Sequence, residues 1–271
     1  MFLFDYHVHT SCSFDSMCLP AEQVFSASKR GISELCFTDH IDFDTPEGMG
    51  HKSADLSELR SMVGELYPTY NGMKLKIGAE ISLGNAKVAD DVNEYVARFK
   101  PDFIIASIHR IDGLPVYKPE FYSNRTKHDA YFAYLNAIYN GICSNDEFDV
   151  IGHYDFITKY APYADRSMHL GEDERIDETI KKIFRLLISR GQGIEINSSA
   201  WWNEACTGDD IIKLYTTLGG EFVTIGSDAH VSENVGNRLD EALEQAYRCG
   251  VKYVATYSER KPEFHKVERL M

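Results

Sequence analysis

The sequence predicts one α/β domain, residues 1–271, folded as a parallel barrel in which strands and helices alternate. Seven strand-like apolar runs are each followed by an amphipathic helical pattern, and no linker or internal repeat interrupts the alternation. In addition, nearly every strand-like run ends in a histidine or a carboxylate residue. An open, doubly wound parallel sheet is the alternative architecture that the same alternation permits.

The elements follow in order from local patterns. The first strand is the aromatic run from Phe2 into His7-Val8-His9. Pro20 opens the first helix and Gly31 closes it, because proline suits the first helical turn and glycine the position after the last. Further strands are predicted at residues 34–38, 75–79, 103–108, 148–152, 193–196 and 221–226. Apolar residues at helical spacing predict helices at 56–67, 88–99, 131–142, 176–188, 209–218 and 238–248. A strand-like tail at 252–257 completes the pattern.

Composition limits the class of protein. Hydrophobic residues make up 44% of the 271-residue chain and charged residues 26%, as in ordinary globular proteins. A net charge of -14 repels phosphate backbones, which argues against a nucleic-acid partner. No apolar run approaches the roughly 20 residues that span a bilayer, and no secretory segment is indicated at the start. Six scattered cysteines without a CxxC pair favour free thiols and a cytoplasmic protein.

The His7-Val8-His9 motif is the first chemical signal. Side chains alternate faces along a strand, so both imidazoles point the same way and can bind one metal ion. Taken alone, the pair is equally well explained as two surface or core histidines. The later strand ends strengthen the metal interpretation, because the carboxyl ends of parallel barrel strands open on one face. In order, these ends carry His7 and His9, His40, Glu80, His109, His153, Asn197, and Asp228 with His230.

Six of the ten histidines fall at these strand ends, which is more ligands than one ion can use. The sequence therefore predicts two or three divalent ions. Mixed nitrogen and oxygen ligands favour Zn, Fe or Mn over Ca or Mg alone. A carboxylate such as Glu80 can bridge two ions about 3.5–4 Å apart, the spacing of two-metal hydrolases.

Taken together, the motifs resemble the PHP (polymerase and histidinol phosphatase) family, and within it the monofunctional histidinol-phosphate phosphatases. They are His7-Val8-His9, Asp15, Thr38-Asp39-His40, Glu80, Ser107-Ile108-His109, Gly152-His153 and Ser227-Asp228-Ala229-His230. The resemblance covers nearly the whole chain. It implies a distorted seven-stranded barrel, a trinuclear metal centre and hydrolysis of a small phosphate ester, histidinol phosphate first among the candidates.

The resemblance also implies three ligand sets, with Glu80 shared between the first two. The first ion would be held by His7, His9, Glu80 and Asp228. The second would be held by Glu80, His109 and His153. The third would be held by Asp15, His40 and His230.

The expected chemistry is direct attack by water on phosphorus. A water shared by two ions is acidified toward neutrality, and the ions offset phosphate charge as the ester breaks. No nucleophilic serine or cysteine motif is present. Glu80 and Asp228 are the expected catalytic carboxylates, and Asp39 or a metal-bound water is the candidate proton donor to the leaving alcohol.

Substrate recognition is predicted at residues outside the ligand sets. Asp42 and Asp44 follow His40 and are candidates to bind an ammonium group, or are ordinary solvated loop carboxylates. Lys159 and Arg166 are candidates for the phosphate. The resemblance favours Lys159, because histidinol phosphatases usually carry a basic residue near this position.

One stretch departs from the family pattern. After the sixth strand, where the family usually has a phosphate-binding arginine, this chain has Trp202 next to Trp201. Tryptophan cannot replace the guanidinium fork. Either another cation compensates or the substrate differs, and the tryptophans either pack in the interior or stack at the pocket rim.

Three other classes compete with the phosphatase interpretation. An amidohydrolase also begins with HxH on a barrel but commonly bridges its metals with a modified lysine, and here no predicted strand ends in lysine. A PHP-type exonuclease shares the expected fold but conflicts with the acidic charge. A non-catalytic metal module would use a closed site and would seldom draw ligands from every strand.

Overall fold

The computed structural model describes residues 3–43, 53–199 and 208–270. Its fourteen strands are β1 Leu3–Val8, β2 Ile32–Phe37, β3 His40–Ile41, β4 Thr69–Tyr70, β5 Met73–Ile77, β6 Ala79–Ser82, β7 Ile104–Ser107, β8 Arg110–Ile111, β9 Leu114–Pro115, β10 Val150–Ile151, β11 Gly193–Asn197, β12 Phe222–Gly226, β13 Tyr253–Ser258 and β14 Lys261–Lys266. Its ten α-helices are α1 Pro20–Lys29, α2 Leu56–Val63, α3 Ala86–Phe99, α4 Pro119–Tyr122, α5 Lys127–Ser144, α6 Phe156–Tyr160, α7 Glu174–Ser189, α8 Asp209–Thr217, α9 Leu239–Arg248 and α10 Val267–Leu270.

The strands form a distorted parallel barrel. One sheet has the order β1-β2-β5-β4 and another the order β14-β13-β12-β11-β10-β7-β6-β3. The two are continuous because β3 extends the path of β2 and β6 extends that of β5 after short breaks. The ring closes where Val8, at the end of β1, bridges Ala229 just beyond β12. The predicted barrel is confirmed, and this closure rules out the open sheet.

The breaks in the second and third strand positions explain the distortion. Glu80 was expected just beyond a strand at residues 75–79, whereas the strand breaks at Gly78 and Glu80 lies inside β6. A Cβ atom at Gly78 would lie 2.7 Å from the carbonyl oxygen of Phe103 and 2.9 Å from Cys36 Sγ. Only glycine allows the neighbouring chains to approach this closely.

The helices pack around the barrel as their apolar spacing predicts. In α7, for example, Ile176, Ile180, Ile183 and Leu187 are buried on one face, and Asp173 caps the first turn by accepting from the backbone N–H of Arg175. Burying each such side chain stabilises the fold by about 1.5–3 kcal/mol. Of the buried apolar residues described, all but Cys18 and Ala89 belong to one core. No helix in the described ranges is long and apolar enough to cross a bilayer.

The amino end of the barrel is closed by the hairpin of β13 and β14. β13 runs parallel to β12 and pairs antiparallel with β14. The backbone N–H of Tyr257 donates to the Tyr6 hydroxyl at 2.7 Å, which ties the hairpin to β1. The sequence pattern did not predict β14, because its residues are mostly exposed and show no apolar alternation. A cavity of about 900 Å³ beside this hairpin is lined in part by Phe4, Glu34 and His265, and the candidate site lies at the opposite, carboxyl end of the barrel.

Candidate metal centre

Nine histidine and carboxylate side chains from several barrel strands and the loops that follow them converge at the carboxyl end of the barrel, with Glu80 in the middle. Glu80 Oε1 lies 2.9 Å from His153 Nε2 and 3.4 Å from His109 Nε2. Glu80 Oε2 lies 3.1 Å from His40 Nδ1, 3.3 Å from His7 Nε2 and 3.5 Å from His9 Nε2. One buried carboxylate therefore contacts five imidazoles.

Two aspartates complete the ring. Asp228 Oδ1 lies 3.3 Å from His9 Nε2 and 3.6 Å from His7 Nε2. Asp15 Oδ2 lies 3.2 Å from His230 Nε2 and 3.3 Å from His40 Nε2. Asp15 and His230 are partly exposed at the rim, whereas the other seven members are buried. All nine residues that the sequence predicts as metal ligands thus lie together.

The donor atoms fit divalent metal ions. His7 Nε2, His9 Nε2, His40 Nδ1 and Glu80 Oε2 are buried and have no hydrogen-bond partner within the described part of the chain. Leaving such groups buried and unpaired is costly. A tetrahedral ion with bonds of 2.0–2.1 Å needs ligand atoms about 3.3 Å apart, which is close to the separations in the ring. Four groups have donor atoms close enough for one ion: His9-Asp15-His40-His230, His7-His9-Glu80, His40-Asp42-His109 and Glu80-His109-His153.

Hydrogen bonds behind the ring orient the imidazoles. His7 Nδ1 lies 2.7 Å from Glu195 Oε1, so His7 donates there and keeps Nε2 for a ligand. Glu195 Oε2 also accepts from the backbone N–H of His153 at 2.9 Å and from Asn197 Nδ2 at 3.1 Å. Sequence reasoning missed Glu195. Its spacing of two from the strand-end Asn197 was the available signal, because i and i+2 share a strand face.

The ring is strongly coupled electrostatically. Burial alone would raise the pKa of Glu80, but the imidazoles of His7, His109 and His40 hold that pKa well below its usual value. Burial alone would lower the pKa of His7, but Glu195, Glu80 and Asp228 raise it well above its usual value. For His9, burial together with His230 and His40 lowers the pKa to about 3. The carboxylates therefore stay charged, and metal binding at His7 would release a proton.

A cavity of about 250 Å³ opens onto the ring. Its walls beyond the ring are aromatic or charged: Phe14, Tyr117, Phe156, Tyr160, Asp42, Arg110 and Lys159. Lys159 Nζ, on α6, lies 3.7 Å from Asp228 Oδ2 and 3.3 Å from Ser199 Oγ. Burial by itself lowers the pKa of Lys159, but Asp228 and Tyr160 together outweigh it and the net shift is upward. Lys159 is therefore a charged ammonium beside the ring.

Arg110 and Asp42 form a second charged feature of the cavity wall. Arg110 Nη1 lies 3.5 Å from Asp42 Oδ2, and both side chains are buried. Asp42 Oδ1 is buried without a hydrogen-bond partner in the ranges that the structure covers. The sequence predicted Asp42 as a binding residue and did not single out Arg110, which begins β8 directly after His109. The cavity wall therefore carries the cations of Lys159 and Arg110 and the buried carboxylate of Asp42, whose Oδ1 lies 3.8 Å from His40 Nδ1.

Other predicted site residues lie elsewhere. Asp39 was expected to donate a proton, but its oxygens accept from the backbone N–H and hydroxyl of Thr10 and from the hydroxyl of Ser13. Burial raises the pKa of Asp39. Neither Asp39 nor Arg166 is among the described residues that line the cavity, and Arg166 donates to the carbonyl oxygen of Lys159 at 3.4 Å. Asp44, Trp201 and Trp202 lie outside the described residues.

A closed parallel barrel with a ring of imidazoles and carboxylates at its carboxyl end defines a hydrolase class that works through divalent metal ions. Comparison with known proteins specifies the family. The PHP domain model matches residues 5–199, more than half of the chain. The chain therefore belongs to the PHP domain family.

Individual relatives agree with this assignment. The histidinol-phosphatase of Lactococcus lactis is 31% identical over 266 residues, covering 97% of each chain. A probable histidinol-phosphatase of Clostridium acetobutylicum is 29% identical and covers 93% of this chain and 96% of its own. A crystal structure of the Lactococcus lactis histidinol phosphate phosphatase, complexed with zinc, L-histidinol and phosphate, superposes with a TM-score of 0.82, covering 96% of this chain and 98% of its own.

Proposed function

We propose that this protein is a metal-dependent phosphomonoesterase that hydrolyses L-histidinol phosphate to L-histidinol and phosphate. The observation that carries the proposal is the set of unpaired, buried donor atoms around Glu80 at the floor of an accessible cavity. The relatives named as histidinol-phosphatases, which match over nearly the whole chain, support the choice of substrate.

Three divalent ions, with Zn, Fe or Mn as candidates, are proposed for the ring. His7, His9, Glu80 and Asp228 would hold the first, and Glu80, His109 and His153 the second. Asp15, His40 and His230 would hold the third. When bound, such ions lower the pKa of water, so that hydroxide is available to attack phosphorus, and they offset the negative charge of the phosphate. Zinc in the Lactococcus lactis structure supports this metal type.

The chain's own residues would bind and orient the ester. Lys159 would bind a non-bridging phosphate oxygen; its ammonium, beside Asp228 at the edge of the ring, supports this role. Arg110 supplies a second cation in the same cavity wall. These two residues would compensate for the family arginine that Trp202 replaces. The aromatic walls would pack against an imidazole ring and exclude water.

Asp42 would select for the ammonium group of the substrate. Its Oδ1 is buried in the cavity wall without a partner in the described ranges, while Oδ2 lies near Arg110. A charge-assisted hydrogen bond from an ammonium would satisfy this oxygen. We assign Arg166 no direct contact with the substrate, since it is not among the described residues that line the cavity. We place the reaction in the cytoplasm, because the five described cysteines are free thiols.

A substrate panel tests the proposal. We expect kcat/KM for histidinol phosphate to exceed that for p-nitrophenyl phosphate by at least about 100-fold, because the imidazole and ammonium add specific contacts. Asp42→Asn should reduce this advantage about 10-fold for histidinol phosphate, through the loss of one charged hydrogen bond. The measurement is steady-state kinetics on protein of known metal content.

The panel also needs an imidazolyl alkyl phosphate that lacks the amine, an amide and single-stranded DNA. Asp42→Asn should leave kcat/KM for the amine-free ester nearly unchanged, which serves as the internal control. If histidinol phosphate were no better than generic esters, the assigned substrate would be wrong. Preferential cleavage of the amide or the DNA would instead favour an amidohydrolase or an exonuclease.

Lys159→Ala is expected to raise KM for histidinol phosphate and Ki for inorganic phosphate by about 10–100-fold, because a charge-assisted phosphate contact is lost. Lys159→Arg should recover part of the affinity, since it keeps the positive charge. Lys252→Ala is the control, because that lysine pairs with Glu221 before the start of β12, at the opposite end of the barrel. Unchanged phosphate inhibition in Lys159→Ala would remove Lys159 from the binding site.

A further inference from the structure

The hydroxyl of Ser13 connects two metal-ligand candidates to a buried carboxylate. Ser13 Oγ donates to Asp39 Oδ1 at 2.7 Å. The backbone N–H of His40 donates to Ser13 Oγ at 3.0 Å, and His9 Nδ1 lies 3.1 Å from the same oxygen. Ser13, Asp39 and His9 are all buried. One hydroxyl therefore has three partners on two different segments, His9 just after β1 and the adjacent Asp39 and His40 after β2.

The direction of each hydrogen bond in this network follows from its chemistry. A carboxylate only accepts, so the single hydrogen of the Ser13 hydroxyl goes to Asp39. The remaining lone pairs of Ser13 Oγ then face the His40 N–H and His9 Nδ1. His9 Nδ1 must therefore carry the proton, which leaves Nε2 as a bare lone pair directed at Glu80 and Asp228.

The network also fixes the backbone around the ring. Asp39 lies between β2 and β3, and Thr10 lies just after β1. The Thr10 N–H donates to Asp39 Oδ1 at 2.6 Å, and the Thr10 hydroxyl donates to Oδ2 at 2.8 Å. The ends of two neighbouring barrel strands are thereby joined through one carboxylate. His9 and His40, whose ring centroids are 4.4 Å apart, are held from behind as a pair.

We propose that Asp39 is a positioning residue that acts through Ser13 to set the tautomer of His9 and the placement of His40, and that it takes no direct part in proton transfer to the substrate. The inference rests on the metal centre in the proposed function but not on the identity of the ester. It replaces the expectation that Asp39 is the general acid.

The substitutions at Asp39 separate positioning from proton transfer. In Asp39→Asn, the amide oxygen can take the Oδ1 position and accept from Ser13 and Thr10, while the amide nitrogen donates to Thr10 Oγ1. The network is preserved without a titratable group. In Asp39→Ala and Ser13→Ala it is lost. Ser11→Ala is the matched control, because the Ser11 hydroxyl lies in the same loop and has no hydrogen-bond partner in the described part of the chain.

Zinc content per chain and zinc affinity by chelator competition are the primary readouts, together with circular dichroism to establish folding. We expect Ser13→Ala and Asp39→Ala to bind zinc about 10–100-fold more weakly, as outer-shell substitutions typically do. Asp39→Asn and Ser11→Ala should bind zinc within about threefold of the wild type. Long-range ¹H–¹⁵N spectra of histidine-labelled protein should report the Nδ1–H tautomer of His9 in the wild type, Asp39→Asn and Ser11→Ala, but not in Ser13→Ala or Asp39→Ala.

Kinetics on the zinc-loaded variants complete the test. Asp39→Asn should keep kcat within about tenfold of the wild type, which would not hold for a proton donor. If Asp39→Asn bound zinc normally yet lost activity as completely as Asp39→Ala, the positioning role would be overturned. Wild-type zinc affinity in Ser13→Ala would overturn it as well, and this variant decides the matter if Asp39→Ala does not fold. Because zinc affinity is measured without substrate, these outcomes are distinct from failure of the assigned substrate.

Discussion

Glu80→Ala is expected to abolish turnover and to remove bound metal at the same time. The carboxylate contacts five imidazoles and is held by the Ser107 hydroxyl, which donates to Oε1 at 2.6 Å. Without Glu80, the imidazoles lose the negative charge that they share. The first and second proposed ions also each lose a ligand. We expect kcat to fall by at least about 10³-fold, as when a central electrostatic element is removed.

Elemental analysis and steady-state kinetics on the same preparation check this prediction. Glu80→Gln tests charge separately from volume, because it fills the space but places an N–H₂ group or a neutral oxygen against the imidazoles. Both variants should lose metal. Glu58→Ala, an exposed carboxylate on α2, should keep full metal and activity. Full activity in Glu80→Ala would refute the assignment of the site.

Gly226→Ala is expected to disrupt the ring from behind. A Cβ atom at this position would lie 2.3 Å from His7 Cβ and 2.4 Å from Glu195 Oε1. His7 Cβ is attached to the backbone of β1, so it cannot move without shifting the strand. We expect a loss of about 1–3 kcal/mol in the free energy of unfolding, as for overpacked cores. We also expect at least about a 10-fold weaker affinity for metal, because His7 and its Glu195 partner are both displaced.

Thermal or denaturant unfolding and chelator competition measure the two effects. Gly250→Ala is the control for backbone strain alone, because its φ is +79° and nothing lies within 4 Å of an added Cβ. That variant should lose about 1 kcal/mol of stability and keep its metal affinity. Normal metal affinity in Gly226→Ala would mean that β1 and β12 yield more easily than their close packing indicates.

Sequence patterns predicted the ligand ring because local periodicity determines where strand ends fall. His7 and His9 share a strand face through their spacing of two, and His109, His153 and His230 each come at or shortly after the end of a strand. In a parallel barrel all such ends meet at one rim, so no long-range information was needed to bring them together. Glu195 followed the same rule, but it lies before the strand end and was missed.

The roles of the residues behind and beside the ring were not predictable in this way. Asp39 is next to His40 in the sequence and was expected to donate a proton to the leaving group. Its carboxylate instead accepts hydrogen bonds from Thr10 and Ser13, which lie on another segment. Arg166 is near Lys159 in sequence but does not reach the described cavity wall, whereas Arg110 does. Which side chain faces a pocket depends on how several loops pack together. The spacing of residues within one segment does not predict that packing.

The sequence by itself determined the fold class, the alternation of seven barrel strands with helices, and the metal-ligand candidates at the strand ends, because hydrophobic periodicity and residue chemistry act locally. Asp15 was added by the family resemblance. Only the tertiary structure decided how the barrel closes between Val8 and Ala229, which nitrogen of His7 and His9 faces the ring, and which charges line the cavity. These depend on contacts between segments as far apart as His7 and Glu195, and such contacts exist only once the chain has packed.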